Sequence, residues 1–262
     1  MVLVVVSVLG LIFGSFINAF VWRLHENKDW ISGHSECIEC HHRLKMIDLV
    51  PILSWLLLKG QCRYCHKKIS VQYPLVELLT AILFFLSYAY WPVRVTGVNA
   101  VEFGFWLVML IGLIALAVYD LKWMLLPTNV IYALIPIGLV MALISISQSN
   151  DVLKSCLDYI LAILVGGGLF YLVFIISKGK WIGGGDVRLG FLLGLLAGTP
   201  GYSFLFIFLA SIIGSIVSIL LLSRGKMKKN SLIPFGPFLI AGLFIVQLAG
   251  SSIVHWYTTI FI

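Results

Sequence analysis

The chain has 262 residues, of which 61% are hydrophobic and 11% charged, and its mean hydropathy is +1.06. These values exclude an ordinary water-soluble domain and predict an all-α polytopic membrane protein. The net charge of +7 is explained by loop residues that set membrane orientation, so it favours anionic lipid at the inner leaflet rather than a nucleic-acid partner.

Apolar runs near the length that a bilayer demands predict about eight transmembrane helices. Residues 1–22 form the first; they carry no charge, basic leader region or small-residue cleavage site, so we expect a retained helix rather than a signal peptide. A hydrophilic module is expected over 23–73 and a seven-helix membrane domain over 74–262. The predicted spans are 2–22, 74–91, 101–119, 129–147, 158–177, 186–199, 201–223 and 235–255.

The distribution of basic residues predicts the orientation in the membrane. Of the 18 Lys and Arg residues, all except Arg94 and Lys154 fall in 23–73, in the connections after the third, fifth and seventh spans, or, for Arg188, at the start of the sixth span. Cytoplasmic loops retain Lys and Arg, so we expect both chain termini outside and the module at 23–73 in the cytoplasm.

Two polar side chains fall within predicted spans. The Asn18 amide needs a hydrogen-bond partner at that depth. Glu77 follows Tyr73 and Pro74, and we expect it in the first helical turn, where an acid complements the helix dipole.

Two CxxC pairs in the module predict a metal site. Cys37 and Cys40 form the first pair and Cys62 and Cys65 the second, a spacing that suits four thiolates around a structural zinc ion. A reducing cytoplasm disfavours disulfides, and metal binding explains how so small a module folds. Nearby histidines are expected at the surface. The apolar stretch 48–58 is too short to span the bilayer and is expected to lie on the membrane surface.

Two aspartates are the candidate catalytic residues. Asp120 closes the third span, where the helix dipole disfavours an acid. Asp186 follows Gly183, Gly184 and Gly185 at the start of the short sixth span; glycines there permit a close approach of substrate backbone, although a flexible linker is the alternative. Both aspartates are expected on the cytoplasmic side.

Two adjacent carboxylates cannot both ionise cheaply, so one retains a proton. The charged partner can then activate water while the neutral one polarises a carbonyl group. This chemistry is peptide-bond hydrolysis by an aspartyl dyad.

Glycines and prolines predict how the later helices pack. Gly190, Gly194 and Gly198 recur every four residues and predict one smooth helical face, with a partner at 166–168. Pro234 and Pro237 predict a helix break at the cytoplasmic interface.

With these motifs the chain resembles the type IV prepilin leader peptidases, bifunctional membrane enzymes that process pilins and type II secretion pseudopilins. The resemblance runs nearly end to end. It rests on the order and spacing of 14–18 with Arg23, the two CxxC pairs, 48–51 with Ser54, 73–77, Asp120, 183–186 and 234–238.

This resemblance implies a GxGD-type aspartyl protease of the bacterial inner membrane, with Asp120 and Asp186 as the catalytic pair. It implies cleavage of a short basic leader after a glycine, at the cytoplasmic face. It also implies methylation of the new N-terminus with S-adenosylmethionine, for which no residue of the sequence identifies a site. The chain departs from the family pattern at Ile38, where proline is common, and at Thr128, where an acid is common.

Two other functions explain some of the same residues. A proton-coupled transporter also carries intramembrane acids, but it predicts acids at several depths or an inverted repeat, and neither is visible. A non-catalytic zinc-bearing scaffold for a secretion machine would need the four cysteines and tolerate loss of both aspartates.

Overall fold

A computed structural model describes residues 1–29, 33–225 and 233–261 and divides the chain into two compact units, Met1–Trp91 and Pro92–Ile262. The N-terminal unit contains α1, a short 3₁₀ turn at Met46–Leu49, α2 and α3. The C-terminal unit contains α4 to α10, with one π-helical turn at Leu164–Gly168 joining α6 to α7. The helices are α1 Val2–His25, α2 Leu53–Leu57, α3 Gln72–Ala89, α4 Val98–Trp123, α5 Thr128–Ser147, α6 Val152–Ile163, α7 Leu169–Ser177, α8 Gly184–Ala197, α9 Pro200–Ser223 and α10 Gly236–Phe261.

The helices agree with the predicted all-α membrane architecture. Within the described ranges, seven helices are long and apolar enough to cross a membrane: α1, α3, α4, α5, the continuous α6–α7, α9 and α10. The remaining predicted span, 186–199, corresponds to α8, which has 14 residues and is therefore only about 21 Å long.

In the N-terminal unit α1 packs closely on α3. A Cβ added at Gly14 would lie 2.5 Å from the Glu77 Cα, and one at Gly10 would lie 2.7 Å from the Ala81 Cα. The Asn18 Nδ2 donates hydrogen bonds to the Tyr73 carbonyl at 3.0 Å and the Gly14 carbonyl at 3.2 Å, so the donor end of this buried amide finds partners, whereas its Oδ1 has none among the described residues. These contacts fix the register of the two helices.

In the C-terminal unit α8 lies at the centre and packs against α5, α6, α7, α9 and α10. A Cβ at Gly190 would lie 2.6 Å from the Gly166 carbonyl oxygen, and one at Gly194 would lie 2.6 Å from the Ala162 carbonyl oxygen. The predicted packing role is thus confirmed for these glycines, whereas Gly198 ends α8 with a φ of +73°. The core around α8 includes Leu113, Leu116, Leu189, Leu192, Leu193, Phe206, Leu239 and Leu243.

Candidate active site and metal centre

Asp120 lies in the last turn of α4 and is buried, with 5% of its surface exposed. The negative end of the α4 dipole disfavours a carboxylate there. The structure offsets this with the first residue of α10, because the Gly236 N–H donates a hydrogen bond of 3.1 Å to the Asp120 Oδ2. The predicted helix break is therefore the start of α10, and it brings a positive helix end to Asp120.

Asp186 lies in the first turn of α8, where the helix dipole favours a carboxylate. Gly183 is the N-cap residue, and its backbone N–H donates a hydrogen bond to the Asp186 carboxylate. The side chain reaches back to the N-cap as in a capping box, which fixes its direction. The glycine run is thus an ordered helix start rather than a flexible linker.

The structure brings the two aspartates together. Their carboxyl groups are close enough for a direct Coulombic interaction. Leu126, in the connection between α4 and α5, packs against the neighbours of both aspartates: a Cβ at Gly185, next to Asp186, would lie 2.9 Å from the Leu126 Cβ, and one at Gly236, whose N–H binds Asp120, would lie 3.4 Å from its Cδ2. The N-termini of α8 and α10 face this pair of aspartates. Their helix dipoles favour one negative charge on the pair, whereas a second negative charge is opposed by repulsion from the first.

The three glycines before Asp186 have different surroundings. Gly185 is packed against Leu126, as above. A Cβ at Gly184 would meet only the Arg188 Nη2 and a Phe174 ring carbon, each at 3.9 Å, and the nearest atom to one at Gly183 is the Asp186 Oδ2, at 3.5 Å. Gly183 and Gly184 therefore leave open space beside the Asp186 carboxylate, whereas Gly185 is required by packing.

Sequence reasoning missed two contacts of this site. The Gly236 N–H is one; the PFGP motif marked the helix break but did not identify the donor. The other joins α8 to α5, because the exposed Arg188 Nη1 donates a hydrogen bond of 2.6 Å to the Thr128 Oγ1. Thr128 is the departure from the family pattern noted above, and in this chain it accepts from a cation without contributing a charge.

The two CxxC pairs form two similar turns in the N-terminal unit. The Cys37 N–H bonds to the His42 carbonyl and the Cys62 N–H to the Lys67 carbonyl, at 3.0 and 2.9 Å. The residue after the second cysteine of each pair, His41 or His66, has a positive φ of 54° or 58° and an exposed side chain. These histidines are therefore turn residues at the surface, as predicted.

The four predicted ligands meet at one point. The Sγ atoms of Cys37, Cys40, Cys62 and Cys65 all lie within 4.8 Å of one another. Those of Cys37 and Cys65 are 3.9 Å apart, and a tetrahedral zinc site with bonds of about 2.3 Å needs about 3.8 Å between sulfur atoms. The residues present thus fit a tetrahedral metal ion.

The thiols also have the electrostatics of a metal site. Burial raises the pKa of Cys62, but the N–H groups of Cys65 and Tyr64 outweigh it and lower that pKa to about 7. The Lys67 N–H lowers the pKa of Cys65, but burial and the neighbouring thiols raise it to about 12. Four adjacent thiols cannot all ionise alone, so full deprotonation requires a bound cation.

Asp48 ties the 3₁₀ turn to the second cysteine turn. Its carboxylate accepts hydrogen bonds from the Arg63 Nε at 2.6 Å, the Tyr64 hydroxyl at 3.0 Å and the Lys45 N–H at 3.1 Å. Burial raises the pKa of this carboxyl group, but the three donors outweigh burial and hold that pKa below its usual range. Asp48 is therefore a charged structural link within the module.

The prediction for Glu77 is wrong. Helix α3 begins at Gln72, so Glu77 lies beyond its first turn and does not cap it. Its buried carboxylate instead accepts a hydrogen bond of 2.7 Å from the Ile52 N–H and another from the Ser15 hydroxyl. Glu77 thus joins α1, α3 and the loop before α2.

Two family models match the chain. The bacterial peptidase A24 N-terminal domain matches residues 8–91, and the type IV leader peptidase family matches residues 107–219. No solved structure matches.

Curated relatives match over nearly their whole lengths. A prepilin leader peptidase/N-methyltransferase of Bacillus subtilis is 31% identical over 97% of this chain and 96% of its own. A type 4 prepilin-like proteins leader peptide-processing enzyme of Escherichia coli O78:H11 is 34% identical over 91% of each chain. A prepilin leader peptidase/N-methyltransferase of Stutzerimonas stutzeri is 29% identical over 95% of this chain and 91% of its own. With matches of this extent, the chain belongs to the type IV leader peptidase family.

Proposed function

We propose that this chain removes the short basic leader from type IV prepilins and pseudopilins and then methylates the new N-terminus with S-adenosylmethionine. The family membership supports this proposal. The observation that carries it is the meeting of Asp120 and Asp186 at the positive ends of α10 and α8, since two carboxylates that share a proton are the minimum apparatus for peptide hydrolysis.

In the proposed reaction the ionised carboxylate takes a proton from a water molecule as the water oxygen bonds to the scissile carbonyl carbon. The protonated partner donates its proton to the carbonyl oxygen. Collapse of the tetrahedral intermediate breaks the C–N bond as the first carboxyl group passes the water proton to the amine nitrogen, and the second carboxylate takes a hydroxyl proton back from the intermediate, which leaves a new carboxyl group. Because the two groups are coupled, the titration belongs to the pair.

Gly183 and Gly184 are proposed to position the substrate. A protease cannot reach a carbonyl carbon within intact helical turns, so the leader junction has to unwind beside Asp186. The space next to these glycines admits an extended backbone. Gly185 supports the same arrangement from the other side, by letting Leu126 approach.

The charge distribution supports the proposed location. The chain is a multi-pass membrane protein, and we place it in the bacterial cytoplasmic membrane with both termini outside and the aspartate pair toward the cytoplasm, because basic residues concentrate on that side. In this orientation the basic leader of a prepilin reaches the aspartate pair from the cytoplasm, before the rest of the substrate is moved across the membrane. Exposed Leu53, Leu56 and Leu57 of α2 support contact of this segment with membrane lipid.

We propose zinc as the metal of the four-cysteine site. A zinc ion neutralises the thiolates and links the two cysteine turns, which otherwise have only short hydrogen-bonded loops to hold them. Its proposed role is structural, because four protein ligands leave no open position for a substrate or water.

Replacing either catalytic candidate should slow cleavage strongly. We expect Asp120→Asn and Asp186→Asn each to slow leader removal by about 10²–10⁴-fold, since neither amide can complete the proton transfers. The measurement is the mass of a prepilin incubated with the purified protein in detergent. Asp158→Asn, the same change in α6, should cleave normally; normal cleavage by either site variant contradicts the assignment.

Gly236→Ala should displace the Asp120 carboxylate while keeping the aspartate in the chain. The added Cβ would stand 2.7 Å from the Asp120 Oδ2 and push the carboxylate out of register with its partner. A displacement of this kind costs about 10²-fold in rate. Gly201→Ala is the control, because a Cβ there meets nothing within 4 Å. Equal cleavage rates for the two variants would refute the role of the α10 N-terminus.

Gly184→Leu separates substrate access from folding. The nearest neighbours of an added Cβ are 3.9 Å away, so the protein should fold with its thermal midpoint unchanged. We expect kcat/KM for leader removal to fall by about tenfold or more, because the side chain fills the space beside Asp186. Gly168→Leu, in open space on the π-helical turn, should keep wild-type kinetics. Wild-type kinetics in Gly184→Leu would exclude this path for the substrate.

The metal proposal predicts one zinc ion per chain by elemental analysis of the purified protein. Cys62→Ser should lose the metal, because a serine hydroxyl is a poor zinc ligand at neutral pH. Cys156→Ser should retain it, since Cys156 lies outside the cluster. A wild-type chain that is folded and active but carries no metal would overturn the proposal.

A further inference from the structure

The side chain of Arg188 lies beside the open space that Gly183 and Gly184 leave next to Asp186. Its Nη2 would be 3.9 Å from a Cβ added at Gly184. Among the described residues, Arg188 and Asp186 are the charged side chains that come within 4 Å of a Cβ at either glycine. The aspartate takes part in the proposed cleavage reaction, whereas the neighbouring cation has no role in it so far.

We propose that Arg188 binds the substrate and fixes the direction in which it lies, by donating a hydrogen bond to a backbone carbonyl of the segment that follows the cleaved bond. The inference rests on the proposed cleavage of prepilins and deepens it. It adds a specificity to that reaction. The substrate position next to Arg188 should reject a basic side chain, because two positive charges would meet there.

The guanidinium group of Arg188 is available for such a contact. Its side chain is exposed, and among the described residues it forms no ion pair. One donor is in use, because the Nη1 donates the hydrogen bond of 2.6 Å to the Thr128 Oγ1. A guanidinium group is planar and carries five N–H donors, so fixing the Nη1 also restricts where the Nη2 points. Thr128 therefore orients the remaining donors without neutralising the charge.

An unwound substrate segment needs a donor of this kind. When the leader junction leaves its helical conformation, its carbonyl groups lose their partners, and at the membrane boundary each unpaired group is costly. A hydrogen bond from a charged donor is stronger than one between neutral groups. Arg188 thus replaces a partner that the substrate helix gives up, at the place where Gly184 admits the backbone.

The charge of Arg188 decides which part of a prepilin can lie next to it. Basic side chains of the leader would meet a like charge there, together with the positive end of the α8 dipole. The segment next to Arg188 is therefore the one that follows the cleaved bond, with the leader on the other side of Asp186. Three other basic residues lie near the two aspartates in the sequence, but none has an atom within 4 Å of a Cβ at Gly183 or Gly184: Lys122, Lys178 and Lys180.

The test combines a charge scan of the substrate with a charge reversal of the enzyme. Prepilins that carry Lys or Gln at each position on either side of the cleaved bond, except the glycine before it, are incubated with the full chain in detergent. We expect one position after the bond at which Lys lowers kcat/KM by about tenfold or more relative to Gln. In Arg188→Glu the same position should prefer Lys. Arg94→Glu, the same change in the connection before α4, should keep the wild-type preference at every position.

A structural role of Arg188 would not produce an inverted preference, because a damaged fold lowers the rates for the Lys and Gln substrates together. Equal preferences of the wild-type chain and Arg188→Glu at every position, or a Lys effect confined to positions before the bond, overturn the inference. Thr128→Val removes the hydroxyl acceptor and should weaken the discrimination; an unchanged preference would overturn the part of Thr128. A wild-type chain that leaves every prepilin uncut refutes instead the proposed function.

Discussion

A carboxylate in the last turn of a helix faces the negative end of that helix, and Asp120 stands in this position. The C-terminal unit offsets the cost by bringing the start of α10 to it, where the Gly236 N–H donates to the carboxylate. Asp186 receives the same support from its own helix, α8. The arrangement depends on three helix ends meeting at one place, and the close contacts of Gly185 and Gly236 with Leu126 are what permit them to meet.

The burial of α8 helps to keep these three helix ends together. At about 21 Å the helix is shorter than the roughly 30 Å hydrocarbon core, so protein rather than lipid or water must cover its surface. Gly190 and Gly194 let the backbone of the α6–α7 helix approach within contact of α8, and buried leucines fill the remaining faces. A helix held on all sides cannot shift easily, so the carboxylate at its N-terminus is fixed relative to α4 and α10.

The sequence predicts the residues of the two sites whose side chains are unusual at their positions. Asp120 and Asp186 stood out because acids are expensive in apolar segments, and the cysteines because their spacing suits a metal. The Gly236 donor was missed because a backbone N–H has no side-chain signature. Glu77 was misassigned because its partner, the Ile52 N–H, depends on a backbone conformation that β-branched residues rarely adopt. No local pattern of residues predicts such a turn.

The two units differ in the chemistry that their buried acids permit. In the C-terminal unit two carboxylates interact, so a proton can be shared and passed, which hydrolysis requires. In the N-terminal unit Glu77 accepts hydrogen bonds, while Asp48 and Glu36 form ion pairs with Arg63 and Lys28. Among the described residues the partners of Glu77 are hydrogen-bond donors, so it links elements of its unit and has no second acid with which to share a proton.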